Sequence, residues 1–486
     1  MTLDQDACYA IISARDSRYD GRFFTAVTTT GIYCRPICPA RLPKRENVIF
    51  YSSAAVAQDE GFRPCLRCRP ETAPDTPAWR GTSSSVGRAL RLIEEGALDS
   101  GSVEQMAARL GLGERQVRRL FLKHVGASPV SVAVTRRLLL AKQLLHETDL
   151  TITQVAMASG FGSIRRFNES FQEVFKTAPS FLRREIGVEG PGIPSADINL
   201  KLRYRPPYDW GAMAEFMRAR LYPGVETFEA GIYRRSLCLD GQIGLVAVAQ
   251  GKGDWLDVQV RLQDLTLVPK VIARVREAFD LAADPDVIGA HLGQDLALQG
   301  LVLRRPGLRV PGAFDPFEIG IRAILGQQIM VSAAIKLGAR LVTQLGAALP
   351  NEWAQELGVS RLFPSADSIL ASSLDFLGMP KARVRCLKAY CEAYLADEDL
   401  FGGDTRLVLA RLLGVKGVGP WTASYIALRA LRDPDAFPAE DVALARGLIQ
   451  PGGERPTRHA LEQRSQAWRP WRAYAAQHIW TELAAG

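Results

Sequence analysis

Apolar residues recur at helical spacing on both sides of a glycine-rich stretch near the end of the chain. Leu407, Leu409 and Leu412 precede residues 413–419, and an apolar pattern of the same period continues over residues 421–431. The pattern predicts two helices joined by a tight turn, in which glycines supply positive φ angles. Backbone N–H groups at the start of the second helix would bind phosphate, because the helix dipole favours an anion there. An ordinary helix–helix connection is the alternative for such a turn taken alone.

The apolar pattern also predicts two similar helical pairs in the middle of the chain. Residues 102–121 and 151–168 each begin with an N-cap serine or threonine and contain an apolar helix, a glycine turn and a second helix. A helix over residues 133–145 would join the pairs. The predicted apolar faces of the second helices consist of Val117, Leu120, Phe121, Ile164, Phe167 and Phe171. Two helix-turn-helix units are indicated, with DNA contacts expected from the basic second helices through Arg115, Arg118, Arg119, Arg165, Arg166 and Asn168.

Residues 197–300 combine strands, such as 258–262, with an amphipathic helix around 271–281, which predicts a small α+β subdomain. The region has no catalytic constellation of its own. We expect Cys238, and Cys386 and Cys391 further along, to be small buried side chains.

Composition indicates an intracellular protein, and the positive charge is suited to DNA, to a membrane surface or to an acidic partner. Of the 486 residues 47% are apolar, no run reaches eighteen apolar residues, and the N-terminus lacks the apolar core of a signal peptide. Residues 73–85 and 187–194 are rich in Pro, Gly and Ser and are interpreted as linkers. The net charge of +8 is concentrated between them, where residues 81–185 carry 15 basic and 10 acidic side chains. Such a region is suited to DNA phosphates.

Four cysteines near the N-terminus have the spacing of a zinc site. They form two short pairs, Cys34-x3-Cys38 and Cys65-x2-Cys68, separated by a predicted strand at residues 48–51. Each pair can supply two sulfur ligands from one turn, as tetrahedral zinc requires. A closed site that only stabilises the domain is one interpretation. The other is a reactive site, because zinc keeps thiols deprotonated and the thiolate is a nucleophile.

The flanking residues favour the reactive interpretation. Residues 29–41, 45–48 and 61–68 resemble the N-terminal domain of the Ada family, which removes methyl groups from methylphosphotriesters in DNA. The resemblance implies that Cys34 is the methyl acceptor and that Cys38, Cys65 and Cys68 are the other zinc ligands. The methyl transfer would occur once per molecule and would reduce the negative charge of the site, weakening its repulsion of the DNA backbone. The expected phosphate-binding residues are Arg35, Arg41, Arg45, Arg63 and Arg67.

The two later parts of the chain resemble other DNA-binding families. The paired helix-turn-helix units, with residues 160–161 and the closing segment 179–183, are similar to AraC-type DNA-binding domains. Residues 204–210, 322–328, 413–441 and 468–480 resemble AlkA-type 3-methyladenine DNA glycosylases of the helix-hairpin-helix superfamily.

The AlkA-type resemblance implies a set of roles in the last part of the chain. Asp441 would stabilise an oxocarbenium-like transition state and position water. A pocket for the flipped base would be formed by Trp421, Tyr425, Trp480 and Gln328, with Gly417 and Gly419 binding DNA at the hairpin. Gln328 stands at the wedge position where a leucine is known in the family. Trp421 stands where lyase-type relatives have lysine, so strand cleavage is not expected. The carbonyl groups of Leu413, Val415 and Val418 are candidates for a monovalent cation site.

The sequence therefore predicts a multidomain, mainly α protein with α+β parts. The expected domains are a small four-cysteine zinc domain (1–78), an AraC-type double helix-turn-helix domain (82–187), an α+β subdomain (195–300) and an all-α helix-hairpin-helix glycosylase domain (301–486). The expected function is DNA alkylation repair and transcription activation by a cytoplasmic, nucleoid-associated monomer. Its partners would be damaged and promoter double-stranded DNA and RNA polymerase, with no membrane. The alternative is a regulator whose C-terminal half binds lesions without catalysis.

Overall fold

The computed structural model describes residues 4–70, 73, 84–186, 197–350, 352–353, 358–397, 399–449 and 453–485. They belong to two compact units, Met1–Pro206 with Gly251–Ala273, and Pro207–Gln250 with Arg274–Gly486. Residues 74–83 of the first predicted linker and all of the second, 187–194, lie outside the described residues. None of the helices in the described ranges is both long enough and apolar enough to cross a membrane.

A four-stranded sheet organises the N-terminal part of the first unit. Its strands are β1 (Phe24–Val27), β2 (Ile32–Cys34), β3 (Val48–Tyr51) and β4 (Arg63–Pro64), in the order β3-β1-β2-β4. Phe23, Val48 and Phe50 pack with the buried side of helix α1 (Gln5–Ala14), while Phe24, Ala26 and Tyr33 pack with helix α2 (Ala54–Asp59). The parallel pairing of β2 with β4 places Cys34, the last residue of β2, near the turn that follows β4.

Eight helices form the basic middle part of the first unit. They are α3 (Ser84–Glu94), α4 (Ala97–Ser100), α5 (Val103–Arg109), α6 (Glu114–His124), α7 (Pro129–Glu147), α8 (Ile152–Ala158), α9 (Ile164–Phe175) and α10 (Pro179–Ile186). Capping boxes begin α5, through Ser102 and Gln105, and α8, through Thr151 and Gln154. The two helix-turn-helix units are thus formed by α5–α6 and α8–α9, and α7 connects them. Val117 and Phe121, and Phe167 and Phe171, are buried as predicted.

Five further strands are β5 (Asp197–Arg203), β6 (Glu226–Glu229), β7 (Ile232–Leu239), β8 (Gln242–Gln250) and β9 (Trp255–Leu262). In the first unit β5 pairs antiparallel with β9, and in the second unit β6, β7 and β8 form an antiparallel meander. Further helices in the described ranges include α11 (Trp210–Arg218), α12 (Val268–Ala278), α13 (Pro285–Leu292), α14 (Leu296–Arg304), α15 (Pro316–Leu325), α16 (Val331–Leu345), α17 (Ala366–Ala371), α18 (Lys381–Ala396), α19 (Thr405–Gly414), α20 (Pro420–Arg429), α21 (Val442–Gly447), α22 (Arg458–Ser465) and α23 (Arg472–Ala485).

The helical core of the second unit fixes the glycine-rich hairpin. Leu412 of α19 and Ile426 of α20 are fully buried in one cluster with Ile321 and Ile324 of α15 and Leu387 of α18. The predicted pair of helices around residues 413–419 is therefore present and anchored from both sides. Together with the four-cysteine cluster and the helix-turn-helix units, this confirms the predicted fold class.

Two predicted burial states are wrong. Ile164 is 42% exposed, because it lies at the first position of α9 and the apolar face begins at Phe167. Cys238 is also exposed, since it follows Leu237 on β7 and alternate residues of a strand face opposite sides. Cys386 and Cys391 are buried as predicted.

A buried ionic cluster joins the β-meander to α15 in the second unit. Glu318 on α15 accepts hydrogen bonds from Arg235 Nη2 at 2.7 Å and Arg322 Nε at 2.8 Å. Glu226 on β6 accepts from Arg322 Nη2 at 2.7 Å and from the Tyr233 hydroxyl at 2.6 Å. The two carboxylates balance the two guanidinium groups, so every charge of the cluster has a partner.

Glu318→Gln is expected to lower the free energy of unfolding of the second unit by about 3–5 kcal/mol, because it leaves buried guanidinium charge uncompensated. Chemical denaturation of the full-length protein measures this loss. Glu482→Gln is the matched control, since the Arg304–Glu482 pair is exposed, 57% and 50%, and should contribute less than about 1 kcal/mol. Equal stability of the two variants would contradict a structural role for the buried cluster.

Candidate functional sites

The four predicted cysteines come together in a metal-binding cluster. The Sγ atoms of Cys34, Cys38, Cys65 and Cys68 all lie within 4.8 Å of one another. Cys65 and Cys68 are buried, whereas Cys34 and Cys38 are half-buried. Four closely spaced sulfur donors match the ligand set of tetrahedral zinc. Of the two pairs, the first is the more exposed to solvent.

Hydrogen bonds from neighbouring residues hold the cluster from outside. The backbone N–H of Arg35 donates to Cys68 Sγ at 3.3 Å, and Lys142 Nζ, fully buried on α7, donates to the carbonyl of Cys65 at 3.0 Å. Hydrogen bonds to a ligand sulfur and to a ligand's backbone restrict the orientation of the thiolates. Cys8 is buried in the neighbouring apolar cluster and is not part of the metal site.

The expected phosphate-binding arginines of the zinc domain differ in exposure and in their partners. Arg35 is 4% exposed, and its guanidinium group pairs with Asp20 and donates to the carbonyl of Cys68 at 3.0 Å. A role for Arg35 in phosphate binding is therefore wrong, because its charge and donors are used inside the protein. Arg41 and Arg67 are exposed, whereas Arg63 is half-buried and Arg45 contacts Asp6.

The helix-turn-helix candidates lie on the second helix of each unit. Arg115, Arg118 and Arg119 are exposed on α6, and Arg165 and Arg166 are exposed on α9 beside half-buried Asn168. Arg118 pairs with Glu114, and Arg165 with Glu169, one helical turn away. Such exposed i,i+4 pairs contribute little stability, so both arginines can exchange these partners for phosphate or base edges.

The second unit contains an open cavity of about 1680 Å³ that reaches Asp441. Asp441 is the N-cap of α21, and its Oδ1 accepts from the N–H of Leu444 at 2.9 Å. Two indole groups also donate to this carboxylate: Trp421 Nε1 to Oδ2 at 2.7 Å and Trp480 Nε1 to Oδ1 at 3.1 Å. Both oxygens are held by donors from α20, α21 and α23, which fixes a negative charge at the cavity wall.

The predicted aromatic residues line the same cavity. Trp421 and Tyr425 are one helical turn apart on α20, and their rings stack with centroids 5.3 Å apart and an interplanar angle of 13°. Trp480 on α23 reaches the cavity from a different helix. A stacked aromatic wall beside a carboxylate can attract a flat cationic ring and stabilise positive charge next to it.

The two hairpin glycines, Gly417 and Gly419, differ in backbone conformation and in position. Gly417 has φ of 93°, and a Cβ there would lie 2.8 Å from Cys386 Cβ and 2.9 Å from its Sγ. Gly419 has φ of −95° and is the N-cap of α20, directly before Pro420. The turn therefore needs glycine at position 417 for both backbone conformation and space. The position of Gly419 places the start of α20 at the edge of the cavity.

Gln328 lies exposed at the mouth of the cavity, in the turn between α15 and α16. Its φ of 55° is in the left-handed region, which is unusual for a residue other than glycine. No sequence pattern indicates that Gln327 fixes this turn. Gln327 Nε2 donates to the carbonyl of Gly417 at 3.2 Å and to Thr422 Oγ1 at 3.1 Å, and Arg383 Nη2 donates to its carbonyl at 2.5 Å. The turn that carries Gln328 is thus tied to the hairpin.

Comparisons with known proteins match each part of the chain to a described domain. The metal binding domain of Ada matches residues 7–71, a helix-turn-helix domain matches residues 106–185, and the AlkA N-terminal domain matches residues 199–315.

Similarity to single proteins extends over the whole chain. The chain is 39% identical to the probable bifunctional transcriptional activator/DNA repair enzyme AlkA of Mycobacterium tuberculosis, over 99% of this chain and 97% of that protein. It is 33% identical to DNA-3-methyladenine glycosylase 2 of Escherichia coli, over 57% of this chain and 95% of that protein. The solved structure of the 3-methyladenine DNA glycosylase from Archaeoglobus fulgidus has a similar fold, with a TM-score of 0.51 at 21% identity, covering 58% of this chain and 96% of that one.

Proposed function

The chain belongs to the family of bifunctional transcriptional activator/DNA repair enzymes, and we propose that its second unit hydrolyses the glycosidic bond of alkylated purines in DNA. Its cysteine cluster is a zinc site, and its helix-turn-helix domain binds DNA. The observation that supports the glycosylase proposal most strongly is the carboxylate of Asp441, held by two indole groups in a cavity with a stacked aromatic wall.

Each group of the cavity has a role in the proposed reaction. A base turned out of the DNA helix would stack on Trp421 and Tyr425, which favours the positive charge of a methylated purine. Gln328 would fill the space that the base leaves. The bond from C1′ to the base nitrogen then breaks, and its electron pair passes to the base. Asp441 stabilises the positive charge left on the sugar, and a water molecule adds to C1′ and gives its proton to Asp441.

The proposed reaction is monofunctional, which means that the DNA strand remains intact. No lysine is among the described residues that line the cavity, so no amine is placed to form a Schiff base with C1′. Full-length protein incubated with methylated duplex DNA should release free 3-methyladenine and leave abasic sites that break only after alkali treatment. Absence of free base would refute the glycosylase proposal, and strand breaks without alkali would refute the monofunctional mechanism.

Trp480→Phe is expected to lower the rate constant of base release by about tenfold, because one hydrogen bond to the Asp441 carboxylate is lost while an aromatic ring remains. The apparent affinity for methylated DNA should change little. Single-turnover kinetics over a range of protein concentrations separate the two quantities. Trp353→Phe is the control, since Trp353 packs near Leu349 and does not line the cavity. In this interpretation Trp480 positions the Asp441 carboxylate. A selective loss of DNA affinity in Trp480→Phe would contradict that role.

We further propose that Cys34 accepts a methyl group from a DNA methylphosphotriester. Zinc bound by the four cysteines would keep their thiols deprotonated at neutral pH. The Sγ of half-buried Cys34, the last residue of β2, attacks the methyl carbon, and the carbon–oxygen bond breaks with its electron pair on the phosphate oxygen. One negative charge is lost from the site when the thioether forms. Weaker repulsion would then raise the affinity for the DNA backbone.

The remaining proposals concern the contacts of this protein with DNA, a monovalent cation and RNA polymerase. The six candidate residues of α6 and α9, Arg115, Arg118, Arg119, Arg165, Arg166 and Asn168, would contact promoter DNA, and Gly417 and Gly419 would contact a phosphate of damaged DNA. The carbonyls of Leu413, Val415 and Val418 would bind a monovalent cation at the hairpin. Transcription activation requires contact with RNA polymerase, which we propose for the DNA-bound monomer. The proposed domain boundaries remain 1–78, 82–187, 195–300 and 301–486.

A further inference from the structure

The aromatic wall of the cavity continues into a buried positive charge. Trp421, Tyr425 and Arg429 lie at i, i+4 and i+8 on one face of α20. The Cζ atom of Arg429 is 5.3 Å from the centroid of the Tyr425 ring, and also 5.5 Å from the Trp480 ring and 4.7 Å from the Phe216 ring. The guanidinium group therefore touches three aromatic rings that line the cavity.

Arg429 is held in place by neutral acceptors. It is 2% exposed, its Nη1 donates to the carbonyl of Pro311 at 2.7 Å, and its Nη2 donates to Gln477 Oε1 at 3.2 Å. Arg220, the neighbouring cation, lies 3.9 Å from the Phe216 ring and donates to the carbonyl of Phe216. Within the described ranges, neither arginine forms an ion pair with a carboxylate.

Arg235, Arg322 and Arg432 of the second unit differ in this respect. Arg235 and Arg322 pair with Glu226 and Glu318, and Arg432 pairs with Asp280. Arg429 and Arg220 thus leave positive charge uncompensated behind the aromatic wall, opposite in sign to Asp441. Their field is also felt by Tyr425: burial would raise the pKa of its hydroxyl, but the two guanidinium groups offset this and lower it below the usual value. Burial lowers the pKa of Arg429 to about 10, which leaves it charged at neutral pH.

We propose that Arg429 is a specificity-determining residue whose charge disfavours binding of cationic bases and promotes departure of every base as its electron pair arrives. The proposal rests on the glycosylase function proposed above. The cavity would then select among damaged bases by the charge that each base carries before and after the C1′–N bond breaks, as well as by shape and stacking.

The effect of Arg429 depends on how the charge of the base changes during the reaction. When the C1′–N bond breaks, the base gains an electron pair, so a cationic base becomes neutral and a neutral base becomes anionic. For a cationic base, a nearby positive charge raises the energy of the bound state but not that of the departed base. For a neutral base, it leaves the bound state unchanged and lowers the energy of the departing anion. Arg429 should therefore weaken binding of cationic lesions and accelerate release of neutral ones.

The test compares Arg429→Met with Arg429→Lys in the full-length protein. Both variants lose the planar hydrogen-bonding group, but only the lysine keeps a positive charge. The probes are duplexes with one 7-methylguanine, which is cationic in DNA, or one hypoxanthine, which is neutral. Base release is measured under single turnover, and Kd is measured in an Asp441→Asn background, where the base stays attached.

For 7-methylguanine, Arg429→Met is expected to lower both Kd and the release rate constant by on the order of tenfold, so that their ratio changes little. For hypoxanthine, Arg429→Met should have the same Kd as the wild type, and its release rate constant should be lower by a similar factor. Arg429→Lys should behave like the wild type in Kd. Similar losses of affinity for both lesions, or equal behaviour of Met and Lys variants, would overturn the proposal and leave Arg429 a structural residue. If the wild type releases neither of these bases and no 3-methyladenine from methylated DNA, the glycosylase function fails, whereas the two Kd values still decide the effect of the charge.

Discussion

Asp441→Asn is expected to lower the rate of 3-methyladenine release by about 10²–10³-fold while leaving the fold intact. Asparagine has nearly the same shape as aspartate and is an equally good N-cap, so it can still accept the hydrogen bond that the N–H of Leu444 makes at 2.9 Å. It lacks the negative charge that would stabilise the cationic sugar. With its oxygen kept on the N–H of Leu444 and on Trp480 Nε1, its amide N–H₂ group replaces Oδ2 and faces the Trp421 indole donor, where an acceptor is required.

Asp404→Asn provides a matched control for this substitution. Asp404 caps α19 in the same way, accepting from the N–H of Leu407 at 2.9 Å, but it does not line the cavity. Single-turnover release of free base from methylated DNA should therefore be normal in Asp404→Asn and nearly absent in Asp441→Asn, with both proteins equally stable. If wild type and Asp441→Asn release base at the same rate, Asp441 is not the catalytic carboxylate. If neither releases any, the second unit binds lesions without catalysis.

Features encoded by short stretches of sequence could be predicted well. The cysteine pairs, the N-capped helix pairs and the glycine-rich hairpin each depend on residues less than about twenty positions apart, whose spacing determines their geometry. The Cys34–Cys68 cluster and the buried faces of α6 and α9 agree with these expectations. Ile164 shows the limit of a periodicity: the pattern gives the direction of the face but not where it ends.

Interactions between distant segments could not be predicted in this way. Arg35 stands inside a cysteine motif and suggests a phosphate ligand, but only the fold shows that Asp20 neutralises it. Gln327 reaches the hairpin across 90 positions, and Arg429 meets Gln477 and Trp480 of α23. No sequence pattern distinguishes Arg429 from the ion-paired Arg432 three residues later, because the presence of a carboxylate is decided by packing. The charge environment of the cavity is therefore information that the structure adds.

Cys34→Ser is expected to abolish methyl transfer completely, because the hydroxyl of serine is a much weaker nucleophile than a thiolate at neutral pH. Intact mass spectrometry after incubation with DNA carrying methylphosphotriesters should show a gain of one methyl group in the wild type and none in the variant. Cys238→Ser is the control, since this exposed cysteine lies outside the metal cluster, and it should be methylated as the wild type is.

Loss of a zinc ligand can also unfold a small domain, so the variant alone does not identify the acceptor. Peptide mapping of the methylated wild type does, and it should place the thioether on Cys34. Cys34 and Cys38 are both half-buried, so this burial class gives no reason to prefer one of the two residues, and a thioether on Cys38 would contradict the assignment. Methylation should also raise the affinity of the wild type for unmodified promoter DNA, most strongly at low salt, because the negative charge lost from the cluster no longer repels the backbone. A stoichiometrically methylated protein with unchanged DNA affinity would show that repair at this site does not control transcription through charge.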